Sequence, residues 1–197
     1  RWGILKAQGT REQPVVLTAV SPGQYWDGIS FAWSPSAENS RLDYCTIEYA
    51  GEHKEQYTTT QLDAALVFNE CVPSASTLQH STIRYSKSDG IRFYGQLAGS
   101  VLLHGLNIYG NALYANTNRG VYLNAVKRIA LHNNVIRNND VGVWSNNAPY
   151  LTFANNTIAA KEENHEAVHD RTSRRGGCGS GRQRPGRQPW IGGHIPA

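Results

Sequence analysis

Five stretches of this chain repeat one small pattern, an apolar residue followed five places later by another: Leu42 and Ile47, Leu78 and Ile83, Leu103 and Ile108, Leu131 and Ile136, Phe153 and Ile158. Their first members lie 36, 25, 28 and 22 residues apart. A unit this short cannot bury its own apolar face, so such a chain must stack neighbouring units around a shared core. A second element recurs between the pairs, usually led by Gly: Gly28-Ile29-Ser30-Phe31, Gly90-Ile91-Arg92-Phe93, Gly120-Val121-Tyr122-Leu123 and Gly142-Val143-Trp144-Ser145, with Ala65-Leu66-Val67-Phe68 in the same slot. Alternation at period two in runs of Val, Ile, Phe and Tyr is the strand signature. No window carries a helical period. The expected fold is all-β, a parallel β-helix solenoid of about five to six coils with about three short strands each.

The turns fit that reading. Two places before each Ile anchor stand Cys45, Ser81, Leu106, Asn134 and Asn156, four of the five small or polar. Such a column suits an inward bend, where stacked Asn side chains bond one another and the turn backbone. Thirteen of the 16 asparagines fall between Asn107 and Asn156, and Asn tolerates the left-handed backbone that tight bends demand.

The segments Ala7-Gln8-Gly9-Thr10, Pro14-Val15-Val16-Leu17-Thr18, Trp26-Asp27-Gly28-Ile29-Ser30-Phe31 and Asn39-Ser40-Arg41-Leu42-Asp43-Tyr44-Cys45-Thr46-Ile47-Glu48-Tyr49-Ala50-Gly51 resemble bacterial right-handed parallel β-helix proteins of the pectate-lyase-like superfamily. The likeness covers roughly residues 3 to 160. It implies a right-handed solenoid, a secreted or cell-surface protein, frequently part of a larger multidomain chain, and a concern with polysaccharides. Calcium enters as a cofactor by this resemblance only; the residues themselves indicate neither metal nor cofactor.

Domain organisation follows from where the pattern stops. Residues 1–160 read as the solenoid and 161–197, with seven Gly, six Arg and three Pro, as an irregular, disordered tail. The chain has no Met, so it reads as processed or as an internal piece of a longer solenoid. Residues 52–62 read as a polar loop inserted between coils. The formal charge is +4, but 7 of the 19 Lys+Arg and 4 of the 15 Asp+Glu lie in 161–197, leaving 12 against 11 in the body. A nearly neutral body argues against nucleic acid as a partner. No apolar run reaches the ~18 residues of a membrane span. Cys45 and Cys71 read either as one disulfide of an exported protein or as two buried thiols.

Function is carried by the outward face of the Gly-led strands. With Ile29, Phe31, Leu66, Phe68, Ile91, Phe93, Val121, Leu123 and Val143 inside, Ser30, Val67, Arg92, Tyr122 and Trp144 form one outward column. Arg92, Tyr122 and Trp144 are the candidate substrate-binding residues: aromatic faces stack on sugars, and an Arg fork holds a carboxylate or hydroxyl pair. Catalysis is weakly provided for. Asp89 and Asp140 are the candidate carboxylates, roughly 10 Å apart by coil spacing, a marginal separation for glycoside hydrolysis, and each doubles as a turn former. Two further outward columns read Asp43, Gln79, His104, His132, Ala154 and Glu48, Arg84, Tyr109, Arg137, Ala159; an exposed Glu48–Arg84 pair is expected in the second. The leading expectation is a polysaccharide-binding module, monomeric or part of a larger chain; the alternatives are a polysaccharide lyase or glycoside hydrolase of the same superfold and a structural surface repeat. Ile91→Asp is expected to prevent folding and Arg92→Asp to be tolerated.

Overall fold

The computed structural model describes residues 3–32, 39–52, 63–71, 78–94, 97–104, 107–109, 119–160 and 167–171. They form three six-stranded parallel sheets. The first contains β1 (Lys6–Gln8), β4 (Arg41–Asp43), β7 (Leu78–Gln79), β10 (Leu97–His104), β13 (Val126–His132) and β16 (Tyr150–Ala154). The second contains β2 (Val15–Leu17), β5 (Cys45–Glu48), β8 (Thr82–Arg84), β11 (Asn107–Tyr109), β14 (Val135–Asn139) and β17 (Thr157–Ala160). The third contains β3 (Ile29–Ala32), β6 (Ala64–Asn69), β9 (Asp89–Tyr94), β12 (Arg119–Asn124), β15 (Val141–Asn146) and β18 (Val168–Arg171). Every third strand returns to the same sheet, so the chain winds through six coils of three strands, as the repeat requires.

The apolar pairs become columns. Leu17, Ile47, Ile83, Ile108, Ile136 and Ile158 are register partners down the second sheet. In the third sheet Phe31, Phe68 and Phe93 follow one another, and their rings stack in the lumen with centroids 5.3 and 4.9 Å apart. Leu42, Ile47, Leu66, Phe68, Ile83, Ile91, Phe93 and Leu123 are fully buried, and this shared column of side chains is the core that no single coil could supply.

Among the described residues ten corners, from the second coil on, are turned by a single non-glycine residue in the left-handed region. Tyr44, His80, Asn133 and Asn155 (φ 45–55°) turn from the first sheet to the second; Tyr49, Tyr85 and Asn138 (φ 53–55°) turn from the second to the third; Glu70, Ala125 and Asn147 (φ 51–59°) lead out of the third. The polar bend column follows directly. Ser81 Oγ accepts from the Cys45 N–H at 3.0 Å, and Asn156 Oδ1 accepts from both the backbone N–H and the Nδ2 of Asn134, at 2.9 and 3.0 Å. The Asn156 amide in turn donates to the Leu131 carbonyl. Asn156→Ala takes the side-chain partner from the Asn134 N–H and the Leu131 carbonyl of the fifth coil and is expected to cost about 1–3 kcal/mol in urea unfolding; a loss below a few tenths would remove the ladder from the list of stabilising features.

The boundary expected at Ala160 lies too early. β18 pairs with β15 from Val143↔Val168 to Asn146↔Arg171 and completes the sixth coil. The irregular ending over 172–197 and all of the inserted loop beyond Glu52 lie outside the described residues. Cys45 and Cys71 are separate buried thiols, donating to the Ala7 and Phe31 carbonyls. Burial pushes the Cys45 thiol pKa up, the Asp43 charge adding to it, so it stays protonated and inert. Among the described residues no helix is long and apolar enough to cross a membrane.

Candidate functional site

The third sheet places Ser30, Val67, Arg92, Tyr122 and Trp144 at successive register positions, in the order the alternation predicts, and adds His169 from β18. Exposure along this column is uneven. Val67 is 1% and Arg92 6% exposed, whereas Tyr122, Trp144 and His169 are half-buried. The outer face is therefore covered at coils 2 and 3 and accessible at coils 4 to 6.

Arg92 consequently does not project into solvent. Its Nε and Nη2 both donate to Asp89 Oδ2, at 3.0 and 2.6 Å, and its guanidinium lies 5.0 Å from the Tyr122 ring centroid. Asp89, itself fully buried, also accepts the Arg119 backbone N–H on Oδ1 at 2.9 Å, and the Arg119 guanidinium approaches Oδ2 at 3.7 Å. Burial raises the Asp89 pKa; the charges of Arg92 and Arg119 and their hydrogen bonds oppose the rise. The carboxylate is a clamp joining coils 3 and 4, with two guanidinium groups on one carboxylate. Asp140, directly before β15, stays two coils away from Asp89: the two candidate carboxylates are not brought together.

The aromatic column is a stack. Tyr122 and Trp144 lie face to face with centroids 4.8 Å apart and planes at 8°, and Trp144 and His169 follow at 5.9 Å and 3°. Both faces of Trp144 are thus taken by neighbouring rings. The strip offered outward is the edge of three stacked rings, not the open ring faces that alternation alone suggests. Arg119, which sequence reasoning passed over as a residue before a turn glycine, bridges the stack: its Cζ lies 4.6 Å from both the Tyr122 and the Trp144 centroid. Its Nε is buried and has no hydrogen-bond partner. Burial lowers the Arg119 pKa, with Asp89 opposing, and burial raises that of the Tyr122 hydroxyl. Two residues beyond the aromatic rings, Asn146 Nδ2 donates to Asn124 Oδ1 at 3.1 Å and edges the strip with amides.

Elsewhere, Asp43, Gln79, His104, His132 and Ala154 share one register column of the first sheet. Glu48, Arg84, Tyr109, Arg137 and Ala159 share one of the second, with Arg84 Nε donating to Glu48 Oε2 at 2.7 Å. The calcium implied by resemblance needs six to eight oxygen ligands. Among the described residues no three His, Cys, Asp or Glu side chains converge, and Asp89 is engaged by two arginines, so these residues do not fit a calcium centre.

Three parallel sheets wound coil upon coil, with an accessible aromatic strip on the third, define a parallel β-solenoid. The chain belongs to the right-handed β-helix family, whose model matches residues 64–173. No curated protein and no solved structure matches it. The matched region contains the whole strip, including His169.

Proposed function

We propose that this β-helix is an exported module that binds an acidic polysaccharide along coils 4 to 6 of its third sheet. The observation that carries the reading is the Tyr122–Trp144–His169 stack, accessible on a sheet face that is covered at coils 2 and 3, with two guanidinium groups and a single carboxylate beside it. Net positive charge at one end of the strip favours a uronate carboxylate, and the partly exposed Arg119 guanidinium is the cation to receive it. The stacked ring edges supply an apolar rail for C–H faces of sugars, and the Asn124–Asn146 amides supply partners for hydroxyls. A polymer of this chemistry meets a protein outside the cell, hence export.

Trp144→Ala breaks the stack on both sides and removes the centre of the rail. It is expected to weaken binding of a galacturonate hexamer about tenfold, equivalent to ~1.4 kcal/mol, with Tyr122→Ala close behind. Arg119→Gln should weaken the acidic hexamer and flatten the salt dependence of what binding remains. Titration calorimetry at two salt concentrations reads both effects; equal affinity in wild type and Trp144→Ala removes the strip as a binding site.

A further inference from the structure

The two corners flanking the second sheet have one backbone state and two kinds of side chain. In the fifth and sixth coils the left-handed positions hold Asn133, Asn138 and Asn155; in the second and third they hold Tyr44, His80, Tyr49 and Tyr85. The left-handed conformation costs a residue with a bulky Cβ substituent roughly 1–2 kcal/mol, and Asn is among the residues that tolerate it best. The chain thus uses the easily accommodated residue where only a turn is needed and keeps strained aromatic rings elsewhere, a pattern associated with function.

At the first of these corners the rings close on themselves: Tyr44 stacks on His80 at 4.8 Å and 17°. At the second they splay. Tyr25, Tyr49 and Tyr85 come from successive coils, with centroids 6.2 and 5.5 Å apart and planes at 62° and 30°. Beside Tyr49 lies an open cavity of about 260 Å³ walled by residues 18–23, among them Pro22 and the 98% exposed Val20. Its volume is below the ~300–1,000 Å³ of clefts that hold a drug-sized ligand, which suits a single small ring. The surrounding charge cancels: Arg84, 5.2 Å from the Tyr85 centroid, pairs with Glu48, and Lys87, 5.7 Å from the Tyr25 centroid, pairs with Glu52.

We infer that the splayed Tyr25–Tyr49–Tyr85 corner and its cavity form a second glycan site, which takes a neutral pyranose residue. The Tyr49 ring, flanked by Tyr25 and Tyr85, and the Val20 and Pro22 side of the loop meet the C–H face of the sugar, and two cations cancelled by two carboxylates give no preference for an acidic one. The site is at a corner, apart from the Tyr122–Trp144 strip on the face of the third sheet, and stands whether or not that strip binds.

Titration calorimetry with the neutral β-1,4-linked hexamers of glucose and of mannose tests it. Wild type is expected to bind at least one of them. The double variant Tyr49→Asn, Tyr85→Asn should lose at least tenfold in affinity while its melting midpoint holds or rises by up to about 4–8 °C, because two strained turns are relieved, each worth about 2–4 °C in a chain of this size, against the lost ring contacts. Trp144→Ala should leave this binding unchanged. Absence of binding to both hexamers, equal binding by the double variant, or a melting midpoint lowered by more than about 5 °C, which would assign the rings to packing, overturns the inference. Loss of neutral-hexamer binding in Trp144→Ala overturns it too, whereas loss of galacturonate binding alone bears on the strip.

Discussion

Arg92→Asp is expected to leave the chain as unfolded as Ile91→Asp does, although the two side chains point to opposite faces of one strand. Ile91 is fully buried in the lumen, and a carboxylate there is a charge with no partner, worth more than ~4 kcal/mol. Period-two alternation puts Arg92 outside, where a charge reversal costs little. The structure overturns that expectation because Arg92 is 6% exposed and holds Asp89 through two hydrogen bonds. Arg92→Asp removes the cation and sets a second carboxylate beside a fully buried one. Breaking the pair costs about 3–5 kcal/mol, and the carboxylate repulsion adds to it. The sum is a large share of the roughly 5–15 kcal/mol that holds a domain together. Circular dichroism and urea unfolding should show no cooperative transition for either variant; a folded Arg92→Asp protein with a normal midpoint would mean that the Asp89 clamp carries no stability.

The same residue marks where the sequence stops being legible. Alternation reports which face a side chain takes, and in this fold it gives every column correctly: the Ile ladder, the Phe stack, the Glu48–Arg84 pair and the line from Ser30 to Trp144. It does not report whether a face is covered. Val67 and Arg92 occupy the same outward column as Trp144, but the two are buried. Ring orientation is equally invisible: parallel strands one coil apart force Tyr122 and Trp144 to stack, and the alternation pattern contains no term for that. Arg119 was missed because it stands before Gly120 at a strand start, where period two has not begun. His169 was missed because β18, Val168–Arg171, has one apolar residue and no strand propensity of its own. Its hydrogen bonds come from β15, a template already formed, so its sequence need not encode the strand. The Asn ladder was legible because the polar demand of a bend repeats at a fixed offset from the apolar anchors.

Asp89→Ala and Asp89→Asn are expected to differ sharply. Alanine leaves the Arg92 guanidinium and the Arg119 N–H without acceptors in a site from which water is excluded, at a cost of about 3–5 kcal/mol. Asparagine keeps one acceptor oxygen for the Arg92 fork but turns an amide NH2 towards the Arg119 N–H, so it loses the charge and one of the two acceptors. That charge is not favourable on balance: burial raises the Asp89 pKa despite both arginines, so the folded state prefers the neutral group more than the unfolded chain does. A carboxyl with a raised folded pKa keeps its proton longer in the folded state, so its contribution to stability falls as pH rises from the ordinary value of 3.8 towards the folded one. Asn has no proton to lose and lacks that fall. Urea midpoints measured between about pH 4 and pH 7 should therefore show wild type losing ground to Asp89→Asn as pH increases, with Asp89→Asn still costing about 1–3 kcal/mol at neutral pH for the Arg119 N–H left without an acceptor. Asp89→Ala should stay well below both throughout. Equal damage from Ala and Asn would mean that the ion pair itself, and not its hydrogen bonds, joins the third coil to the fourth.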